Sequence, residues 1–410
     1  MSFYRESRLP VGNGWWEVVD SRLVVGRALQ EIGFDQNTAS NIETGVLRDL
    51  YNAIKVTIPI EFCEMKKLHL ENLPNLRSFS SGNLVKWESL ENVVVNQCPN
   101  FRKFGLGMIK KSQLKSIFIQ GNEGQIIDID NNMVAYLFEF LLLVKKLKEL
   151  HIINVDVEEL WDYNYPSESF CELENLSLIN NNKFFSAISS GMIMRFKNLR
   201  KLTLDKCESL TEVFDLEDDN LDHKVHEILP QLEVLALINL IKLKNAWNKE
   251  PQVSFFPNLV YLYIVNCGNL QSLFSLSSIK NLEKLKILKL CKCDKIEEII
   301  SSDISEDEMV PIIFPELECL VMKDLPMLVS FYKQSRTLCW PKLNTVRVSN
   351  ISKMETFSTG ILVTPFLTSI YVTFVKKLWF GSLNNTISYM HGNPGKGKNL
   401  KSHYQGIGVE

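Results

Sequence analysis

Residues 256–274 read FPNLVYLYIVNCGNLQSLF, and this stretch decides the fold. Its grammar returns as FPELECLVMKDLPMLVSFY at 314–332 and as WPKLNTVRVSNISKMETFS at 340–358. An aromatic residue precedes a proline, a leucine follows two residues later, and apolar residues then alternate with others. A chain that repeats itself is read as a repeat before anything else. With the first leucine-like residue as origin, the unit recurs at Met65, Leu90, Leu114, Leu147, Leu173, Leu199, Leu232, Leu259, Leu285, Leu317, Leu343 and Leu367. Twelve copies in one register are not a product of chance.

Apolar residues at the fourth and sixth positions of each unit have the period of a short strand with one buried face. In Leu259-Val-Tyr-Leu-Tyr-Ile264 the pattern points Leu262 and Ile264 inward, and Tyr261, Tyr263 and Val265 outward. The ninth position holds Cys98, Asn122, Asn181, Cys207, Cys267 or Cys293, and an apolar residue in other copies. A small polar or thiol group there can satisfy backbone groups as the chain leaves the strand. Pro230, Pro257, Pro315 and Pro341 stand two residues before the origin, and Pro74, Pro99 and Pro326 just after the ninth position. Both are places where no ladder N–H need be donated. Trp87, Phe170, Phe196, Phe256, Phe314 and Trp340, three residues before the origin, would form a second apolar column. This is the leucine-rich-repeat pattern. It predicts an α/β solenoid (horseshoe) with a parallel sheet on the concave side and irregular or short-helical convex segments, stable only through stacking of its repeats.

From Leu114 the spacings between origins run 33, 26, 26, then 33, 27, 26, then 32, 26, 24. Every third repeat is longer, which points to duplication of a three-repeat block. Two of the extra segments are strongly acidic, EVFDLEDDNLDHKVHE at 212–227 and EEIISSDISEDEM at 297–309; the first, around QIIDIDNN at 125–132, is weakly so. Three regions follow: a helical or degenerate cap over residues 1–60, with SRLVVGRALQEIGF and TGVLRDLYNAI as its helices; the solenoid over 61–380; and a flexible Gly- and Lys-rich tail over 381–410.

Forty-five Lys+Arg against 48 Asp+Glu gives no global pull toward nucleic acid or an anionic membrane. The run MVAYLFEFLLLV at 133–144 is too short to span a bilayer and reads as a buried helix. Nine scattered cysteines and no signal-peptide pattern imply reduced thiols and a cytoplasmic location. Without secretion the sequons at Asn175, Asn350 and Asn384 are coincidental.

No catalytic, cofactor or metal site can be assembled. GNPGKGK at 392–398 lacks the phosphate-loop requirement, since Lys398 is followed by Asn399 rather than Ser or Thr. Cys291 and Cys293 belong to a strand position and an exit position that face different ways, and structural zinc needs four convergent ligands. His223 and His226 have no further Cys or His nearby in sequence and read as surface histidines. No nucleophile, base and orienting group occur at recognisable spacing.

The outward strand positions are the informative ones. In the middle of the array they are apolar or aromatic: Ile153, Ile179, Val234, Ala236, Ile238, Tyr261, Tyr263, Val265 and Ile287. Toward the C-terminal end they turn basic, with Lys289, Lys292, Lys323 and Arg347, followed by Tyr371. Exposed apolar patches mark partner surfaces, and Tyr and Arg are frequent interface anchors. The alternative is that Val, Ile and Tyr are there for strand propensity alone.

The Cys-containing exits in FPNLVYLYIVNCGNLQSLF and KNLEKLKILKLCKCDKIEEIISSD, and the acidic run before FPELECLVMKDLPMLVSFY, resemble the leucine-rich-repeat region of plant coiled-coil nucleotide-binding immune receptors. The resemblance covers about residues 60–380. It implies a protein partner, either a pathogen effector or the host protein that an effector modifies. It also implies restraint of a nucleotide-binding switch domain in cis or in trans. The chain departs from that family in showing no phosphate loop, switch-domain motif or N-terminal coiled coil, so it is expected to be a fragment, a truncated product or a decoy-like repeat protein. An F-box-type substrate adaptor for ubiquitin ligation is the competing reading, and residues 1–60 show no visible F-box. A nucleotide hydrolase would rest on the tail glycines alone.

Overall fold

The computed structural model describes residues 15–18, 60–61, 64–76, 85–98, 113–121, 127–128, 145–156, 167–183, 185–214, 227–245, 254–280, 282–301 and 311–391. The chain divides into two compact units, Met1–Glu172 and Leu173–Glu410. In the first unit, strands β1 (Trp15–Val18), β2 (Lys67–Glu71), β3 (Asn92–Asn96), β4 (Ser116–Gln120) and β5 (Glu149–Ile153) pair in parallel in chain order. In the second, β6 (Asn175–Ile179), β7 (Lys201–Asp205), β8 (Val234–Ile238), β9 (Tyr261–Val265), β10 (Ile287–Cys291), β11 (Cys319–Lys323), β12 (Thr345–Ser349) and β13 (Ile370–Tyr371) do the same. A final strand, β14 (Lys377–Leu378), folds back antiparallel onto β13.

The expected register is the observed one. All twelve origin residues are buried, from Met65 to Leu367. So are the inward pairs Leu235 and Leu237, Leu262 and Ile264, Leu288 and Leu290, and Leu320 and Met322, each stacked on its counterpart in the next strand. Each repeat buries a face it could not bury alone, which is the physical content of a solenoid.

The repeat starting at Leu317 shows how the sequence turns the chain. Leu317 N–H donates to the Phe314 carbonyl at 3.4 Å, closing a turn in which Pro315 is the second residue. After β11, Leu328 N–H donates to Leu325 O at 3.3 Å, closing another with Pro326 second. Proline's fixed φ suits that position, so the prolines bracketing the strand initiate turns as well as sparing the ladder. The ninth-position thiols satisfy backbone carbonyls: Cys207 Sγ lies 3.6 Å from Leu178 O, and Cys267 Sγ 3.6 Å from Leu237 O.

The eighth position carries a device that periodicity along the chain does not disclose. Asn72, Gln97, Asn154, Asn180, Lys206, Asn239, Asn266, Lys292, Asp324 and Asn350 all have φ between 51° and 58°. This left-handed conformation re-aims the chain off the strand, and asparagine tolerates it better than most residues. Its N–H still reaches the ladder, as in Asn239 N–H to Val265 O and Asn266 N–H to Cys291 O, both 2.8 Å. Side chains at or beside this position also bond between repeats, with Asn266 Nδ2 donating to Asn239 Oδ1 at 2.8 Å and Asn239 Nδ2 to Asp205 Oδ1 at 2.7 Å.

Beyond the ladder the second unit is mostly short parallel sheet. Ser186–Ile188 pairs with Glu212–Phe214, and Glu298–Ile300, Ser330–Tyr332 and Thr356–Ser358 form a three-stranded sheet. A further sheet joins Ile312–Ile313, Leu338–Cys339 and Leu362–Val363. The short-helical component that was expected there amounts, among the described residues, to α1 (Ser190–Ile193) and α2 (Leu276–Ile279). The expected aromatic column exists, and its rings come from two registers. Phe314 and Trp340 alternate with Phe331 and Phe357, at centroid distances of 6.3, 4.9 and 6.0 Å along Phe314–Phe331–Trp340–Phe357.

One boundary is corrected. The segment from 381, expected as tail, opens with helix α3 (Leu383–Met390), capped by Ser382, whose Oγ accepts from Asn385 N–H at 3.2 Å. Leu383 and Ile387, four residues apart on one helical face, are buried. Asn384 closes the adjacent sheet, with Phe357 N–H donating to its Oδ1 at 2.9 Å and its Nδ2 donating to Ser358 O at 2.8 Å. Local apolar content alone hid this, because two well-placed side chains suffice for a cap. The remainder, 392–410 with GNPGKGK, lies outside the described residues, as do both helices expected in 1–60, the run 133–144, His223 and His226, and most of the two acidic inserts.

Candidate functional site

Side chains at the third, fifth and seventh positions form three columns on the outward face of the second unit's ladder. The first reads Asn175, Lys201, Val234, Tyr261, Ile287, Cys319 and Thr345. The middle one reads Ser177, Thr203, Ala236, Tyr263, Lys289, Val321, Arg347 and Tyr371. The third reads Ile179, Asp205, Ile238, Val265, Cys291, Lys323 and Ser349. Ile179, Val234, Ile238, Tyr261, Tyr263, Val265, Ile287, Lys289 and Tyr371 are half-buried, while Lys323 and Arg347 are exposed. None is sealed in the core.

The register brings Val234, Ile238, Tyr261, Tyr263, Val265 and Ile287 together on three adjacent strands. It does not bring Ile179 to them: β7 intervenes with Lys201, Thr203 and Asp205, a polar row that interrupts the expected strip. Ile153 lies on β5 of the first unit. Ala236 is buried between larger neighbours and contributes floor rather than contact. Two half-buried residues that were not expected, Cys319 and Val321, extend the patch on β11. Lateral counting from the origins would have found them, since they occupy the third and fifth positions of their repeat.

The two tyrosine rings lie parallel, 5° apart with centroids at 6.4 Å, as a stacked pair on the outward face. Partial burial pushes the Tyr263 phenol above its ordinary range, with smaller contributions from Tyr261 and Cys319, so it stays a neutral donor. Burial likewise raises the Cys291 and Cys319 thiols, which are therefore poor nucleophiles. One border of the ladder carries ion pairs between repeats, Arg200–Glu233 at 2.8 Å and Lys286–Glu318 at 3.3 Å. Such half-exposed pairs contribute little stability; they keep that rim polar. At the C-terminal end Arg347 lies 4.7 Å from the Tyr371 ring centroid, and Lys377 of β14 lies 4.6 Å from it. Among the described residues, no group of three or more His, Cys, Asp or Glu is placed to hold a metal ion. Nor is any helix long and apolar enough to cross a membrane.

Part of this ladder is similar to a known family. Residues 146–294 match the leucine-rich repeats of plant disease resistance protein RPS2-like. The matched span holds β5 to β10, and with them Ile179, Val234, Ile238, Tyr261, Tyr263, Val265, Ile287 and Lys289. RPS2-like repeats are a protein-interaction module of plant immunity, and a solenoid that offers a continuous open sheet is a scaffold suited to that work. No curated protein matches the chain at a significant level.

Proposed function

We propose that the chain is a recognition module of plant innate immunity. It takes pathogen effectors, or host proteins that effectors modify, on the outward face of β8 to β13, and it works in the cytoplasm. The observation that carries this reading is the composition of that face: a stacked tyrosine pair with aliphatic neighbours gives way along the same columns to cations. Solvated faces of a sheet are ordinarily polar, and aromatic side chains with Arg are what protein interfaces concentrate. In a full receptor, the same repeats would also restrain a nucleotide-binding switch domain, supplied in cis or in trans.

The test is a comparison of proteins captured from infected leaf extract by the wild-type chain and by the triple variant Tyr261→Ser, Tyr263→Ser, Lys323→Ser. These side chains are half-buried or exposed, so the variant should fold. The expected result is loss of specific partners from the variant. An unchanged set of captured proteins would refute the assignment of this face.

A further inference from the structure

We infer that the C-terminal end of this face is an anion-binding subsite, built from Arg347, Tyr371 and Lys377, that receives a carboxylate side chain of the bound partner. The inference rests on the outward-face reading above and adds the chemistry of the occupant.

The subsite is a product of three strands. Arg347 on β12 is in register with Tyr371 on β13, and the antiparallel return of β14 sets Lys377 against the same tyrosine. The guanidinium carbon and the ammonium nitrogen lie 4.7 and 4.6 Å from one ring centroid, within the range of cation–π attraction. The ring thus takes one cation from each flanking strand and fixes both side chains. Cations held in place in this way carry no compensating charge from the ring, and they lose little rotamer entropy on receiving a carboxylate.

Among the described residues no carboxylate forms an ion pair with either cation. Asp324 lies 3.8 Å from Lys323, and Lys342 bonds Glu316 at 2.6 Å. Over 319–391 the chain has eight Lys or Arg residues and two carboxylates, Asp324 and Glu355. None of the described carboxylates fills the subsite, and the surplus of positive charge favours an acidic segment of the partner. The same column leads back through Val321 and Lys289 to Tyr263. Arg347 stands three strands from Tyr263, or about 14 Å at the usual strand spacing. A fitting partner segment therefore carries Asp or Glu about four extended residues from an aliphatic or aromatic anchor.

The test uses a library of random twelve-residue peptides displayed on phage and selected on the immobilised full chain. Selected peptides should be enriched in Asp or Glu, with an apolar residue at about that spacing. Synthesised as free peptides, they should bind R347E/K377E at least about tenfold more weakly, and lose affinity as salt is raised. Tyr371→Phe, which keeps the ring, should bind within about twofold of wild type, whereas Tyr371→Ala should lose most of the affinity. Arg347→Gln and Lys377→Gln singly provide the same comparison should the double reversal fail to fold. Peptides without acidic enrichment, the retention of no peptide, or affinities indifferent to Arg347 and Lys377 would each overturn the subsite. If such indifferent peptides are lost on Tyr261→Ser/Tyr263→Ser, the outward-face reading survives while the subsite falls. If they bind regardless of both sets, both readings fall.

Discussion

Replacing Lys292 and Lys289 separately by glycine should change stability in opposite directions, although the residues are three apart and lose the same charge. Lys292 is the eighth residue of its repeat, has φ of 55° and donates its N–H to Lys323 O at 2.9 Å. An L-residue with a β-carbon is disfavoured in that conformation by about 1–2 kcal/mol, which glycine does not suffer. Glycine's added freedom in the unfolded chain gives back about 0.5–1 kcal/mol. Lys292→Gly should therefore stabilise by about 0.5–1 kcal/mol, with its backbone hydrogen bond intact. Lys289 sits mid-strand on β10, between Tyr263 and Val321. There glycine brings the same entropic cost without relief, and Lys289→Gly should destabilise by about 1 kcal/mol. Urea unfolding followed by circular dichroism, with midpoints compared at equal slope, measures both. Two losses of similar size would show that the eighth position is not strained and that the account of how each repeat leaves its strand is wrong.

Three more outcomes follow from the same geometry. Leu262→Ala, fully buried between Leu235 and Leu288, should cost roughly 2–5 kcal/mol through cavity formation, and Tyr263→Ala well under half of that; equal costs in urea melts would mean the faces are inverted. Asn384→Ala removes both bonds that close the Thr356–Ser358 sheet edge, and should cost about 1–3 kcal/mol and speed amide exchange at Phe357; unchanged exchange there would deny α3 its capping role. Burial lifts the Cys267 and Cys293 thiols from 9.0 to about 12 and about 11. Unfolded thiols ionise first as pH rises, so their contribution is complete below pH 9.0 and is lost as pH climbs through the folded values. The slope is about 1.4 kcal/mol per pH unit per thiol. Melts between about pH 8 and 10.5 should show a shallower loss for Cys267→Ala than for wild type, and parallel curves would contradict the assignment.

The ladder was legible because its grammar is redundant. Leu259, Leu262 and Ile264 fix one face, and the origins fix lateral register, so errors at single positions cannot shift the whole. The outward residues were legible for the same reason, down to Tyr261 and Tyr263. Other features emerge along the stacking direction rather than along the chain. The row Lys201, Thr203 and Asp205 breaks the apolar strip only once strands are aligned side by side. The recurrent Asn72, Asn154, Asn180, Asn239, Asn266 and Asn350 signalled a left-handed residue, but only as a column. The short strands such as Ser330–Tyr332 and Leu338–Cys339 span two or three residues, too few for any periodicity to show. The helix at 383–390 was hidden by the Gly- and Lys-rich stretch that follows it, since only Leu383, Thr386 and Ile387 of its residues are buried. Lys377 gave no sign of being a neighbour of Tyr371, because a fold-back strand breaks the repeat that made everything else countable.

The central claim is that the outward face of β8 to β13 is where another protein sits. A photo-activatable amino acid placed at 263, in the chain expressed in leaf cells during infection, tests it against the same probe at exposed Lys333, which lies off the ladder. Covalent adducts of higher mass from position 263, and none from 333, are the predicted result. Adducts absent at 263, or equally abundant at both positions, would contradict it.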